Sequence, residues 1–352
     1  FANPSSSHRL GRELSDKIER DRKSFLDIQG CGTHYDFLFT SSATESNNTV
    51  IKGISLSKGD EVYVSAGDHP SLINPLEYWN EKGVNVQIFP MKDGGRIDED
   101  KLLEKINKDT RLILFCHVNN QSGNIYNVKN LALKIKKDYP DIHIHVDDVQ
   151  GFGKFPLLLK DKIIDTLSIS SHKIGGPKGI AGLYIKKKIK ISPLLHGGGQ
   201  ELELRSSTTA APLIFSFTEA ARIVCDSLEK KIVVMEELNR FAKSALREKI
   251  PMVKFPFEGD DISPYILNFI LPGISSDIIV RHLEEKDIYV STSSACSSGS
   301  KSENETFSAL KIPLKYHNSV FRASFSLSST KEEIKRFISE TALIYDELKE
   351  FG

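Results

Sequence analysis

The chain has 352 residues, enough to bury a large core and to form about two domains. Its 47 basic and 47 acidic side chains cancel, so the charge balance points neither to nucleic acid nor to an anionic membrane surface. No apolar run is long enough to span a bilayer. The 4 cysteines lack C-x-x-C spacing, which argues against a zinc site or a disulfide scaffold and fits a reducing, cytoplasmic setting.

Short β-branched or aromatic runs at 36–40, 61–65, 84–89, 111–118 and 142–146 read as strands. Helical patterns lie between them at 46–55, 71–82, 98–107 and 127–138. Two further buried strands, over 166–169 and 180–185, flank a glycine-rich turn. Such alternation implies an α/β fold, a mainly parallel sheet covered by helices, with ligands held beyond the carboxyl ends of the strands. Residues 212–249 form a long helical stretch without a strand, a spine between two domains. Beyond it, 265–271, 288–291 and 320–325 are strand-like, and 275–286 and 331–349 are amphipathic helices. The expected division is a large domain over 1–230 and a smaller C-terminal α+β domain over 231–352.

Three polar clusters follow strands. In Ser170-Ser171-His172-Lys173, closed by Gly175-Gly176-Pro177-Lys178-Gly179, a lysine stands beside a histidine and two hydroxyls. That setting suits a carbonyl cofactor, because the amine can form a Schiff base, as catalytic lysines do with pyridoxal phosphate. Taken alone, Lys173 also reads as a solvated loop lysine. The run from Thr40 to Asn48 opens a helix, where free N–H groups and hydroxyls suit a phosphate; a plain cap at Ser42 or Thr44 explains it equally. In His145-Val146-Asp147-Asp148-Val149-Gln150, a carboxylate can pair with a protonated pyridine nitrogen, worth about 4 kcal/mol before desolvation. Gln150 can meet a ring hydroxyl. His143 and His145 share a strand face without a third ligand, so no metal is expected.

The motifs Ser42-Ala43-Thr44-Glu45-Ser46, Asp68-His69-Pro70, Val118-Asn119-Asn120-Gln121-Ser122-Gly123 and Val146-Asp147-Asp148-Val149-Gln150 come in the order seen in class-V pyridoxal-phosphate enzymes. So do Ser170 to Gly179, His196-Gly197-Gly198-Gly199-Gln200-Glu201 and Arg205-Ser206-Ser207-Thr208. Ser293-Ser294-Ala295-Cys296-Ser297 is similar to the catalytic-cysteine loop of the NifS-type cysteine desulfurases, the branch this chain most resembles.

The resemblance covers essentially the whole chain. It implies a pyridoxal-phosphate transferase of fold type I with a mainly parallel seven-stranded sheet. It assigns Lys173 the Schiff base and the substrate's α-proton, His69 a place stacked on the ring, Asp147 the pyridine nitrogen and Gln150 the phenolic oxygen. Ala43, Thr44, Ser170 and His172 would hold the phosphate, with Thr208 reaching it from a second subunit of a homodimer. Asn120 and Arg322 would bind the substrate carboxylate, Arg322 through the fork that suits it. Cys296 would take sulfur from L-cysteine, leaving alanine and a persulfide for a sulfur-acceptor or scaffold protein in iron–sulfur cluster assembly or tRNA thiolation. The residues themselves agree, since small hydroxyl neighbours leave the Cys296 thiol accessible.

The chain departs from the family's pattern at Gln121-Ser122, where an acidic and an aliphatic residue are usual, and at Ser207, where glycine is usual. The strand and Ala-Thr-Thr-Pro turn that precede the family's Asn-Pro-Ser segment are expected ahead of Asn3-Pro4-Ser5, where the sequence begins. Two other readings stay open: an aminotransferase or selenocysteine lyase with the same cofactor, which would not need Cys296, and a non-catalytic sulfur-transfer scaffold.

Overall fold

In a computed structural model that describes residues 2–89, 91–292 and 302–349, the chain divides into two units. The first comprises Phe1–Phe89, Glu99–Val118 and Asn127–Leu228; the second takes Pro90–Asp98, Asn119–Tyr126 and Glu229–Gly352. The second unit is therefore discontinuous in sequence, and it claims the Asn119-Asn120-Gln121 segment.

The first unit contains α1 (Arg9–Ile28), β1 (Tyr35–Thr40), α2 (Ala43–Gly53), β2 (Glu61–Ser65), β3 (Asn85–Phe89), β4 (Thr110–Cys116), α3 (Val128–Asp138), β5 (His143–Asp147), β6 (Thr166–Ser170), β7 (Ala181–Lys186) and α4 (Ala211–Cys225). The strands form a 7-stranded sheet in the order β1-β7-β6-β5-β4-β2-β3. Neighbours from β6 to β3 pair in parallel, whereas β7 runs antiparallel to both β1 and β6. The mainly parallel α/β sheet is thus as expected, with one reversed strand inside it.

Alternation along β1 sends its side chains to opposite faces. Phe37 stacks on Phe25 of α1 at 4.5 Å and meets Tyr184 at 4.7 Å, while Leu38 packs among Val50, Leu183 and Ile185 on the other face. Each such fully buried side chain contributes about 1.5–3 kcal/mol. Beside them, a Cβ on Gly182 would stand 2.2 Å from Phe37 Cζ, so the bulky ring is matched by a glycine on β7.

Helix α1 is absent from the reading of the sequence. Its buried face consists of Gly11, Ile18, Arg22 and Phe25, only two of them large and apolar, so its stripe is faint. Arg22 belongs there because its guanidinium grips Glu201 through two bonds of 2.8 and 3.0 Å and donates to Phe37 O. The helix expected over 71–82 is instead three short pieces, Pro70–Ile73, Asn74–Leu76 and Glu77–Asn80, interrupted where Pro75 withholds an N–H. The long stretch over 212–249 is two helices: after α4 the chain turns at Asp226 and at Ser227, whose φ is 53°.

The second unit contains α5 (Leu228–Lys249), β8 (Ile266–Ile270), α6 (Ser276–Glu284), β9 (Ser291–Thr292), β10 (Val320–Ser324) and α7 (Lys331–Lys349). Its 3-stranded antiparallel sheet has the order β8-β10-β9. Phe269 and Phe321 are register partners stacked at 4.9 Å, in a core with Leu246, Ile279 and Ile338. The alternate positions, Asn268 and Arg322, are also register partners.

Candidate active site

The carboxyl ends of β2, β5 and β6 carry the polar groups of the first unit. Asp147 ends β5 with its side chain buried. Its Oδ2 accepts from Asn47 Nδ2 at 2.9 Å and its Oδ1 from the Val149 N–H at 3.0 Å. Asn47 also donates to Ser71 Oγ (2.9 Å), which lies 2.8 Å from His69 Nδ1. Both Asn47 donors being used, its Oδ1 faces His145 Nε2 at 3.0 Å. One directed network therefore ties His145, Asn47, Asp147, Ser71 and His69.

The network sets protonation. The Ser71 backbone N–H donates to His69 Nδ1 at 3.1 Å, so that nitrogen is the acceptor and a neutral ring carries its proton on Nε2. Burial, helped by Lys173 and opposed by Asp147, moves the His69 pKa down and keeps the ring neutral. Burial moves Asp147 up, and the bonds from Asn47 and Val149 together with the charges of His69 and Lys173 pull it back. His145 and His143 are driven down to about 3 and about 4 by burial. They meet at Thr166 Oγ1, 2.9 and 2.8 Å away, and serve as neutral hydrogen-bonding groups.

Lys173 lies in the 3-10 turn Ser171–Ile174, which ends at Gly175 in the left-handed region with φ 82°. No atom crowds a Cβ there, so glycine answers a backbone requirement alone. Lys173 is exposed, and its charge acts on His69, Asp147 and His172. Ser170 Oγ, at the end of β6, is 2.9 Å from His172 Nδ1. Burial, then Lys173 and Lys178, lower the His172 pKa. Of the two caps the sequence offered for α2, the fold uses Ser42, whose Oγ accepts from the Glu45 N–H at 3.1 Å. Ala43 and Thr44 form its first turn, where N–H groups lack intrahelical partners. An open cavity of about 400 Å³ is lined by Thr44, Asn48, Lys52, His69, Ser71 and neighbouring prolines.

Arg205 Nε donates to Glu45 Oε1 at 2.9 Å, tethering the segment that leads to Thr208. Thr208 itself is exposed and is not brought to the network. Gln150 follows β5 and accepts a hydrogen bond from Lys154 Nζ. In the second unit, Arg322 Nη1 donates to Asn120 O (3.0 Å) and Gln121 Oε1 (3.1 Å), so Asn120 meets the arginine through its backbone. Cys296 lies outside the described residues. Of the other cysteines, Cys31 and Cys116 are buried, and burial followed by Asp27 pushes the Cys31 thiol up to about 12.

Asn47, Ser71 and Lys154 are residues of the candidate site that the motifs did not single out, and His145, weighed as a metal ligand, instead holds the Asn47 amide. For Asn47 a signal existed: it shares a helix face with Val50 and Ile51, and a polar side chain on an apolar stripe needs a buried partner.

The donor set fits pyridoxal phosphate. A buried carboxylate suits a pyridinium N–H, a neutral imidazole suits a ring face, and a primary amine in the same field suits an aldehyde. A helix start with nearby hydroxyl and imidazole groups suits a phosphate. Fold and site together define a pyridoxal-phosphate enzyme of fold type I. Residues 1–337 match the family model described as aminotransferase class-V, and the chain belongs to that family. A NifS/IcsS protein homolog of Lactobacillus delbrueckii subsp. bulgaricus is 36% identical, over 98% of this chain and 90% of that protein. A cysteine desulfurase IscS of Dictyoglomus turgidum is 33% identical, over 99% of this chain and 89% of that protein. The solved structure of a NifS-like protein from Rickettsia africae superimposes with a TM-score of 0.87 at 28% identity, covering 98% and 92% of the two chains.

Proposed function

We propose that this protein is a cysteine desulfurase, converting L-cysteine to L-alanine and leaving the sulfur as a persulfide on Cys296. The observation that carries the reading is the grouping at the carboxyl end of the sheet: Asp147 at the end of β5, tied through Asn47 and Ser71 to His69, with Lys173 in the turn after the neighbouring strand β6. The relatives named NifS and cysteine desulfurase IscS support the choice of reaction. Net, the free thiol and cysteine give the persulfide and alanine: a carbon–sulfur bond breaks, a sulfur–sulfur bond forms, and the carbon takes a proton. No external oxidant or reductant is needed.

Bound pyridoxal phosphate supplies an aldehyde and an electron-withdrawing ring. Asp147, kept in place by Asn47, holds the positive charge of the ring nitrogen. His69 covers the ring, oriented through Nδ1 by Ser71, and Gln150 meets the phenolic oxygen. Ala43, Thr44, Ser170 and His172 bind the phosphate, joined by Thr208 of a second copy in a homodimer. Lys173 supplies the amine and moves the proton at the substrate's α-carbon. Arg322 takes the substrate carboxylate, its orientation set by Asn120 and Gln121. Sulfur then passes to an acceptor or scaffold protein, for iron–sulfur cluster assembly or tRNA thiolation. A cytoplasmic setting fits the scattered cysteines; among the described residues no helix is long and apolar enough to cross a membrane.

The test is incubation with cofactor and L-cysteine, measuring alanine and, with a thiol reductant, sulfide. Cys296→Ala should lose sulfide production while keeping the cofactor's visible absorption; unchanged production would overturn the persulfide role. Lys173→Ala should lose the covalent attachment of the cofactor, read by mass after borohydride reduction.

A further inference from the structure

Lys154 has no part in the reaction as described, yet it stands among the residues that do. It follows β5 in a tight turn where Lys154 N and Phe155 N both donate to Gly151 O at 2.9 Å. The turn admits no side chain at Gly151, where a Cβ would lie 2.1 Å from Asp148 Oδ1 and 2.4 Å from His117 Nδ1. Those two groups form a buried pair at 2.6 Å behind it. The half-buried Lys154 Nζ reaches back to Gln150 Oε1 at 3.3 Å.

An ammonium has donors and no acceptor, so the amide atom that faces it is the oxygen. The Gln150 NH₂ is thereby turned away from Lys154, and it donates to no described residue. Among the described residues, Asp148 attracts Lys154 and Lys173 repels it; Asp148 in turn faces His117 and Asp147. Burial and then Lys173 bring the Lys154 ammonium down to about 8, against the pull of Asp148.

We propose that Lys154 is a positioning residue that locks the Gln150 amide, so that Gln150 offers the cofactor's ring oxygen only its NH₂ donors. The inference rests on the reading above that Gln150 meets that oxygen. Without the lock the amide can turn over, and its carbonyl would then face an oxygen that it repels.

The experiment compares the holoenzyme with Lys154→Met, Lys154→Arg, Gln150→Ala and the double variant Lys154→Met/Gln150→Ala. It reads the midpoint of the pH titration of the bound cofactor's visible absorption, alongside the melting temperature. Loss of an oriented donor and of a nearby positive charge both favour the protonated chromophore. Lys154→Met should therefore raise the midpoint by about half a pH unit or more. Lys154→Arg, which keeps donor and charge, should stay close to the parent. Gln150→Ala should shift it in the same direction, and the double variant should shift it by less than the sum, the signature of two residues acting through one contact. A midpoint moved by Gln150→Ala and untouched by Lys154→Met, even with a lowered melting temperature, overturns the lock and leaves the Gln150 reading intact. Strictly additive shifts also overturn it, since the lysine would then act by charge alone. If neither single variant moves the midpoint, Gln150 is not at the ring oxygen and both readings fall. Lys154→Gln replaces the methionine variant should that one not fold.

Discussion

Asp147 keeps a carboxylate where burial disfavours its charge, and Asn47 offsets part of that penalty with one hydrogen bond. The same amide holds Ser71, and through it the His69 ring. Replacing Asn47 by leucine thus acts on two of the proposed cofactor contacts together. A hydrogen bond to a charged group contributes about 1.5–3 kcal/mol, so Asn47→Leu should weaken pyridoxal-phosphate binding roughly tenfold or more at neutral pH. Asn47→Asp, which adds a like charge beside Asp147, should weaken it further. Equilibrium dialysis of the apoprotein gives both values, and an unchanged dissociation constant for the leucine variant would contradict the network described. None of this is visible in the motifs: Asp147 and His69 stand in recognisable segments, whereas Asn47 is merely the fifth residue of a helix.

At the scale of elements, the segment between β7 and α4 is held at two points. Glu201 is bound by Arg22 and accepts from the Phe39 N–H at 2.9 Å, and Arg205 is bound to Glu45. The chain between these anchors turns through three consecutive left-handed residues, Glu201, Leu202 and Glu203, with φ of 46°, 59° and 64°. None is glycine, and each such residue costs about 1–2 kcal/mol. Leu202 is 49% exposed, so its side chain returns little for that strain. Leu202→Gly should stabilise the protein by about 0.5–1 kcal/mol, after the larger entropy of an unfolded glycine is subtracted. Urea unfolding checks it; a loss of stability would mean that the leucine makes contacts worth more than its strain. Glu201 closes the quoted motif His196 to Glu201, but its anchoring role depends on Arg22, in a helix with too few apolar residues to be legible.

For the whole molecule, buried titratable groups set opposing dependences on pH. His143 and His145 titrate in the folded state at about 4 and about 3, below the ordinary value. The unfolded chain therefore binds more protons, and these two groups remove stability as pH falls below about 6.5. Asp68 acts the other way. Burial raises its carboxyl to about 7, and its Oδ2 has no hydrogen-bond partner among the described residues. The folded state holds that proton where the unfolded chain has lost it, so its contribution is full at low pH and drains away as pH rises from about 4 to about 7. Asp68→Asn keeps an acceptor for the Cys116 N–H and never ionises. In the apoprotein its gain in melting temperature over the parent should be larger at pH 8 than at pH 5. A gain independent of pH would show that Asp68 is not the titrating group.

The sequence by itself determined the class of fold and the chemistry. Short strands alternating with helical patterns require a mainly parallel sheet, and reactive residues after strand ends lie where such a sheet exposes them. Lys173, Asp147 and Gln150 became candidates for that reason, since each sits in a local segment whose composition suits its chemistry, whereas His69 became one only through the resemblance to class-V enzymes. The tertiary structure alone decided which neighbours act on them. Contacts between Asn47 and Asp147, His145 and Asn47, or Arg22 and Glu201 join residues 100, 98 and 179 positions apart. No periodicity or spacing carries such pairings, because they exist only once the strands are in register and their ends meet. The same holds for the discontinuous second unit: Asn119–Tyr126 joins it through packing that no composition shift announces, and so brings Asn120 and Gln121 to Arg322.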